Sequence, residues 1–550
     1  MDINNTPNTE NATPVLTSTG TPVVSVNPYT KSQIMTKKPA REFSKKETLF
    51  AFLCYIVSYL FCLSIPIRNN PLGAFIVIFV TYLSTFGFMI SKGKKIKVMP
   101  VLVGVSAVAT SFSLVLTSNG FLHFFAFTYA ISAYCYFLYG MSSENIFRFK
   151  DSIVIDFAKA IMVLPFVSFA SLFQAMFFGK NNKSGKFVLK ILLGIVITII
   201  PTMIILLLLS YDSGFTDLLK KAFDFDGADI FNHIVSLLFA LPVGAYVYSI
   251  FISSKDSKCA NVLTADGVNK TMPKLRIAPV VTVLTAVLPI FALYVVFFVS
   301  QWQYYISGFT GVLPKDFSYA EYAREGFFQL CTVSVINLII LVFISVLMKR
   351  KEGKRPYILN VVSIIFSVFT LVLISTAMAK MYMYIDCYGL TPLRVYASWF
   401  MAVLTLVFVL IIVKQFAKKL RLIVISLTAL VLMFSALSLL NVDSFIAKYN
   451  VDRYLDGTLE TVDIDAMEML GDSAVPQLVR LAEIMDEKTG TDISKVEYDY
   501  EDESMYYLLA KSLQRRALEM KEDESGIFSF TLAKYRAEKA IESTNLLDKK

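Results

Sequence analysis

ILLGIVITIIPTMIILLLLS, residues 191–210, runs for 20 residues without a charge. As a helix it rises about 30 Å, the thickness of a bilayer's hydrocarbon core. Inside lipid only helices and closed barrels satisfy their own backbone, and this run does not alternate as a barrel strand does. It predicts a membrane-spanning helix.

The rest of the chain repeats the pattern. Its 550 residues are 55% hydrophobic and only 17% charged, with a mean hydropathy of +0.60. A soluble domain of average composition is nearer a quarter charged. Eleven apolar runs of spanning length lie near 48–67, 72–90, 98–117, 121–140, 187–210, 233–253, 277–300, 327–348, 357–378, 394–413 and 422–440. The expected fold is all-α: a polytopic transmembrane bundle of about eleven spans, followed by a small C-terminal helical domain. No cleavable signal peptide is evident, because the first apolar run follows a long polar tail and reads as a span.

Three segments follow from composition. Residues 1 to about 36 are rich in Asn, Thr, Pro and Ser and read as disordered; with the basic patch up to Lys46 they form the tail 1–46. The transmembrane domain is 47–440. Within it 153–178 is apolar but interrupted by Asp156, Lys159 and Pro165, with basic residues at both ends, so an interfacial or re-entrant helix is expected. Residues 441–550 change character, with 14 Lys and Arg against 24 Asp and Glu, a net of −10 that leaves +19 on the remainder. Apolar spacing there predicts amphipathic helices, with Gly471 and Pro476 marking a turn.

Charge placement orients the bundle. Alternate connections carry clusters such as Lys92/Lys94/Lys95/Lys97, Lys349/Arg350/Lys351 and Lys414/Lys418/Lys419, and the others carry few cations. Positive residues stay inside, so the N-terminus is expected in the cytoplasm and the C-terminal domain outside. A crossing by 153–178 would reverse the downstream loops. Trp302 and Trp399 fall at predicted outer boundaries, where indole rings settle.

Chemical motifs are sparse. GKNNKSGKF, from Gly179, places five residues between its glycines where a phosphate loop needs four, and Phe187 stands where that loop needs Ser or Thr. No HExxH, GxSxG or dinucleotide fingerprint occurs. The six cysteines lack CxxC spacing, and His123 and His233 stand far apart, so no metal or cofactor is expected. The spans hold almost no ionisable residues, which argues against an ion-coupled carrier.

One charged group stands out. In FSYAEYAREGFF, 317–328, Ser318 and Glu321 have capping-box spacing, Phe317 and Tyr322 suit a hydrophobic staple, and Glu321 and Glu325 face the positive end of a helix dipole. Arg324 fits none of these. In YIDCYGLTPLRVYASW, from Tyr384, Gly389 suits a turn, Thr391 a cap and Pro392 the first helical position, yet Arg394 is again a cation in a first turn. In NVDSFIAKYNVDRYLDG, Ile446, Asn450 and Arg453 would share a helical face. The expected outer-face cluster is therefore Glu321, Arg324, Glu325, Asp386, Arg394, Asn450 and Arg453. Three readings stand: an ion-pair network docking the domain onto the bundle, a site for an anionic lipid or envelope component, and a catalytic site.

These stretches, with LGDSAVPQLV and FSFTLAKYRAEKAI, resemble a family of bacterial multi-pass membrane proteins catalogued as domain of unknown function family 4173. The resemblance covers most of the chain outside the tail; Val442 departs from an expected proline. It implies a bacterial envelope location and brings no activity or catalytic residue. The expected function is that of a non-enzymatic cell-membrane protein in sensing, scaffolding or regulation. The alternatives are a permease for a small or lipid-like substrate and an enzyme acting on an outer-leaflet lipid. Membrane lipids are the expected partners, and nucleic acid is not.

Overall fold

The computed structural model describes residues 43–64, 70–93, 95–142, 153–177, 227–254, 273–300, 327–350, 356–490, 504–522 and 526–544, with isolated positions elsewhere. The expected span 187–210 and the acidic stretch ahead of Phe327 lie outside them. Met1–Ser44 forms a unit of its own. In it β1 (Val15–Leu16) and β2 (Pro22–Val23) pair antiparallel, a short ladder where no structure was expected. The apolar pairs on either side of Gly20 have the composition of a small hairpin.

After the tail, the regular elements among the described residues are almost all helices. Helices α1 (Lys45–Cys62), α2 (Pro71–Ser91), α3 (Val98–Ser111), α4 (Ser113–Leu116) and α5 (Gly120–Ser142) come first. A broken segment follows, with α6 (Ile153–Ala158), a π-turn at Lys159–Val163, α7 (Leu164–Val167) and α8 (Ser171–Phe177). Then come α9 (Gly227–Ser253), α10 (Val280–Ser300), α11 (Phe327–Leu347), α12 (Tyr357–Tyr388), α13 (Pro392–Phe416) and α14 (Leu422–Leu439). The C-terminal helices are α15 (Val442–Leu455), α16 (Ile464–Glu468), α17 (Val475–Thr489), α18 (Met505–Glu522) and α19 (Leu532–Glu542).

Among the described residues nine helices are long and apolar enough to cross a membrane. Helix α1 is not one of them, because its 18 residues open with Lys45, Lys46 and Glu47. The two halves of the broken segment meet at 51°. Its π-turn begins at Lys159, which is buried like Asp156. Helix α12 runs for 32 residues, ten beyond the expected end at 378. Charge at Lys380 does not stop it, since a helix of about 48 Å outreaches the hydrocarbon and ends among polar groups.

Packing divides the bundle in two. Helix α9 lies along α1 and against α7 and α8, while α3 packs on α5. The second group, α10 to α13, shares a core around Phe366, Leu373, Met401 and Phe408. Helix α14 touches both α3 and α13. Lipid supplies no hydrophobic drive between helices, so buried hydroxyls and amides hold them together. Thr110 and Ser435 hydroxyls meet at 2.6 Å between α3 and α14. In the second group Asn337 donates to Thr370 at 2.9 Å and accepts from the Tyr294 hydroxyl, linking α11, α12 and α10.

Close backbone approach sets the α3–α5 contact. A Cβ on Gly140 would fall 2.4 Å from Cγ of Pro100, a rigid ring. Gly140→Ala is expected to destabilise the protein by about 1–3 kcal/mol, read as a lower unfolding midpoint in detergent. Gly87→Ala, with nothing within 4 Å of the new methyl, should not lower it.

Candidate functional site

The end of α12 is where the C-terminal helices meet the bundle. A helix leaves its last carbonyls without intrahelical partners, and here side chains from two other helices, α13 and α15, answer this end of the chain. Gly389, at φ +72, turns the chain out of the helix, and its N–H donates to Ile385 O at 2.9 Å. Thr391 then caps α13, its hydroxyl accepting from Arg394 N at 3.4 Å, and Pro392 takes the first helical position.

Arg394 folds back across this turn. Its Nη1 donates to Tyr388 O at 2.9 Å and to Gly389 O, and the guanidinium stacks 4.0 Å over the Tyr384 ring. A cation that looks misplaced in the first turn of α13 thus neutralises the negative end of α12. Arg453 reaches the same helix from α15. Nη1 donates to Ile385 O at 3.3 Å, and Nη2 pairs with Asp386 at 3.4 Å. Nε and Nη2 also hold Thr458, through Oγ1 at 3.1 Å and the carbonyl at 2.8 Å.

Between the arginines Asn450 makes a two-way bond. Leu390 N–H donates to Oδ1 at 2.7 Å, and Nδ2 donates to Leu390 O at 2.8 Å, both buried. A side-chain amide can match both groups of one residue in this way. The fit leaves no room at Gly389, where a Cβ would lie 2.5 Å from Asn450 Oδ1. The structure therefore brings Asp386, Arg394, Asn450 and Arg453 together around one turn. Glu321, Arg324 and Glu325 lie outside the described residues.

A second polar junction, missed by the sequence reading, lies where α5 begins. Asn119 Oδ1 accepts from Leu122 N at 3.0 Å, and its Nδ2 donates at 2.8 Å both to Tyr396 Oη and to Asp443 Oδ2. Asp443 is fully buried in the first turn of α15, and its Oδ1 has no hydrogen-bond partner among the described residues. Burial pushes its carboxyl up to about 6, against the pull of the Asn119 amide. Beside it Ser118 donates to Asp472 at 2.8 Å and meets Thr531 at 3.1 Å. Asn119 directly before an apolar helix carried a capping signal; nothing in the sequence paired it with Asp443.

Apolar packing completes the joint. Leu122, Leu390 and Leu437 of the bundle share one core with Ile446, Val451, Leu478 and Leu513 of the C-terminal helices. Among the described residues no group of three His, Cys, Asp or Glu is placed to hold a metal ion.

The family described as Domain of unknown function (DUF4153) matches residues 98–481. The chain belongs to that family. The DUF4153 match begins at the first residue of α3 and ends within α17, so it contains both the α12–α13 turn and α15. Its description carries no activity, as family 4173 carried none, and the match names DUF4153 rather than 4173. No curated protein and no solved structure matches the chain.

Two outcomes follow from this geometry. Asn450→Ala leaves the buried N–H and C=O of Leu390 unpaired, an expected loss of about 2–5 kcal/mol measured by unfolding in detergent. Asp443 is protonated more readily folded than unfolded, so its stabilising contribution is full below about pH 4 and is lost as pH rises through about 6. Asp443→Asn should remove that slope, gaining on the order of 3 kcal/mol over the parent at pH 8 and little at pH 4.

Proposed function

We propose that this protein is a non-enzymatic integral membrane protein of the bacterial cell envelope, serving in sensing, scaffolding or regulation. In this reading the helical domain α15–α19 stands on the extracytoplasmic side. It acts by being coupled to the bundle, so that whatever engages the domain is felt at the ends of α12 and α13. The five motifs quoted above also support a kinship with family 4173.

The observation that carries the reading is the destination of the arginine donors. Arg453, on α15, places its guanidinium on a carbonyl and a carboxylate of α12, and Arg394 caps the same helix. These are structural uses, and they join the domain to a spanning helix through partly buried polar groups. Such charge-assisted bonds are stronger than neutral ones and set a defined geometry.

The distribution of cations supports the sidedness. Lys92, Lys95, Lys97, Lys349, Lys414, Lys418 and Arg421 follow or precede the opposite helix ends from those that meet the domain. A lysine-rich end belongs in the cytoplasm.

Cys387, exposed beside Asp386 in the last turn of α12, reports on the sidedness. A membrane-impermeant maleimide should label Cys387 on intact cells and spare Cys259 until the cells are permeabilised. Labelling of Cys259 alone on intact cells inverts the orientation. Arg453→Leu should lower the unfolding midpoint in detergent; an unchanged midpoint removes the coupling.

A further inference from the structure

A cavity of about 280 Å³ opens between the first residues of α11, the last turns of α12 and the start of α13. Phe327 and Met381 form its buried floor, while Phe328 and Leu393 stand 52% and 65% exposed at its rim. Arg394 lines it, with the guanidinium over the Tyr384 ring. Capping α12 occupies only Nη1, whose two hydrogens go to Tyr388 O and Gly389 O. A guanidinium carries five N–H groups. The Nε–H and both hydrogens of Nη2 thus have no partner among the described residues.

The depth of this cavity selects its occupant. Helix α11 has 21 residues, a rise of about 32 Å, which matches the hydrocarbon thickness. Phe327 opens this uncharged stretch just after Arg324 and Glu325 in the sequence, which puts it at the boundary between acyl chains and headgroups. At that level an exposed Phe and Leu face lipid, and a half-used guanidinium beside them faces headgroup oxygens. Nε and Nη2 form the edge that binds two oxygens of one phosphate at once.

We propose that this cavity holds an anionic phospholipid, with its phosphate on the Nε/Nη2 edge of Arg394 and its first acyl carbons against Phe328 and Leu393. The volume lies at the lower limit of small-molecule sites; it takes a headgroup and the upper chain while the remaining acyl carbons stay in the bilayer. Charge complementarity and continuity with the hydrocarbon favour lipid over a soluble anion. The inference goes beyond the reading of the protein as a coupled envelope component and holds for either orientation, so labelling of Cys259 would leave it standing.

The test uses the purified full chain in detergent, incubated with equal phosphatidylglycerol and phosphatidylcholine, with retained lipid counted by native mass spectrometry. The parent is expected to keep phosphatidylglycerol with about a fivefold preference, the contribution of one interfacial arginine. Arg394→Gln should abolish the preference, although it also loosens the helix cap. Leu393→Trp fills the rim, leaves the cap intact and should abolish it as well. Equal retention of the two lipids by the parent overturns the proposal. So does a preference that survives Leu393→Trp, which would belong to the lysine-rich ends. Displacement of the lipid by inorganic phosphate alone would make the site one for a free anion and would overturn it too.

Discussion

The last carbonyls of α12 are negative, close to lipid and beyond the reach of their own helix. An unpaired polar group in such a place costs several kcal/mol, and the whole joint is organised around removing that cost. Arg394 closes the helix from the following span, Arg453 from the C-terminal domain, and Asn450 fixes the turn between them. Because two of the three groups come from α15, the bundle cannot be completed at this end without the domain. The apolar core that runs from Leu122 and Leu390 into α17 and α18 rests on that alignment.

Local chemistry was legible in the sequence wherever the partners are neighbours in the chain. Gly389, Thr391 and Pro392 announce a turn and a cap, and the structure places them so, because turn and cap energetics act over three or four residues. Ile446 and Asn450 fall on the buried face of α15 by simple helical spacing. Arg394 is different, because its partners belong to another helix end. Judged against its own helix it is in the wrong place, and its partners lie six residues back at the end of the preceding helix and five back in the turn that leaves it. The pairing of Asn119 with Asp443 spans 324 residues and left no trace in spacing or composition. Helix α12 outruns its apolar stretch, 357–378, because a charge such as Lys380 past the hydrocarbon does not interrupt a helix.

Asp443 gives the joint a different character from the arginine turn. Its carboxylate is held by one amide and otherwise faces buried surroundings, so ionisation works against the fold rather than for it. The same interface therefore contains one junction tightened by charge and another that is easier to keep closed when neutral. A domain resting on both responds to pH at one contact more than at the other.

Asn450 lies sixty residues beyond the Leu390 backbone it holds. During synthesis α12 thus emerges with its terminal groups only partly answered, and remains so while α13 and α14 are threaded into the bilayer. Only when α15 has been made can the amide and the second guanidinium arrive. A bundle whose last two spans insert wrongly would present that end of α12 open to water and proteases. The late-arriving clasp makes correct threading of the preceding spans a condition for sealing the finished protein.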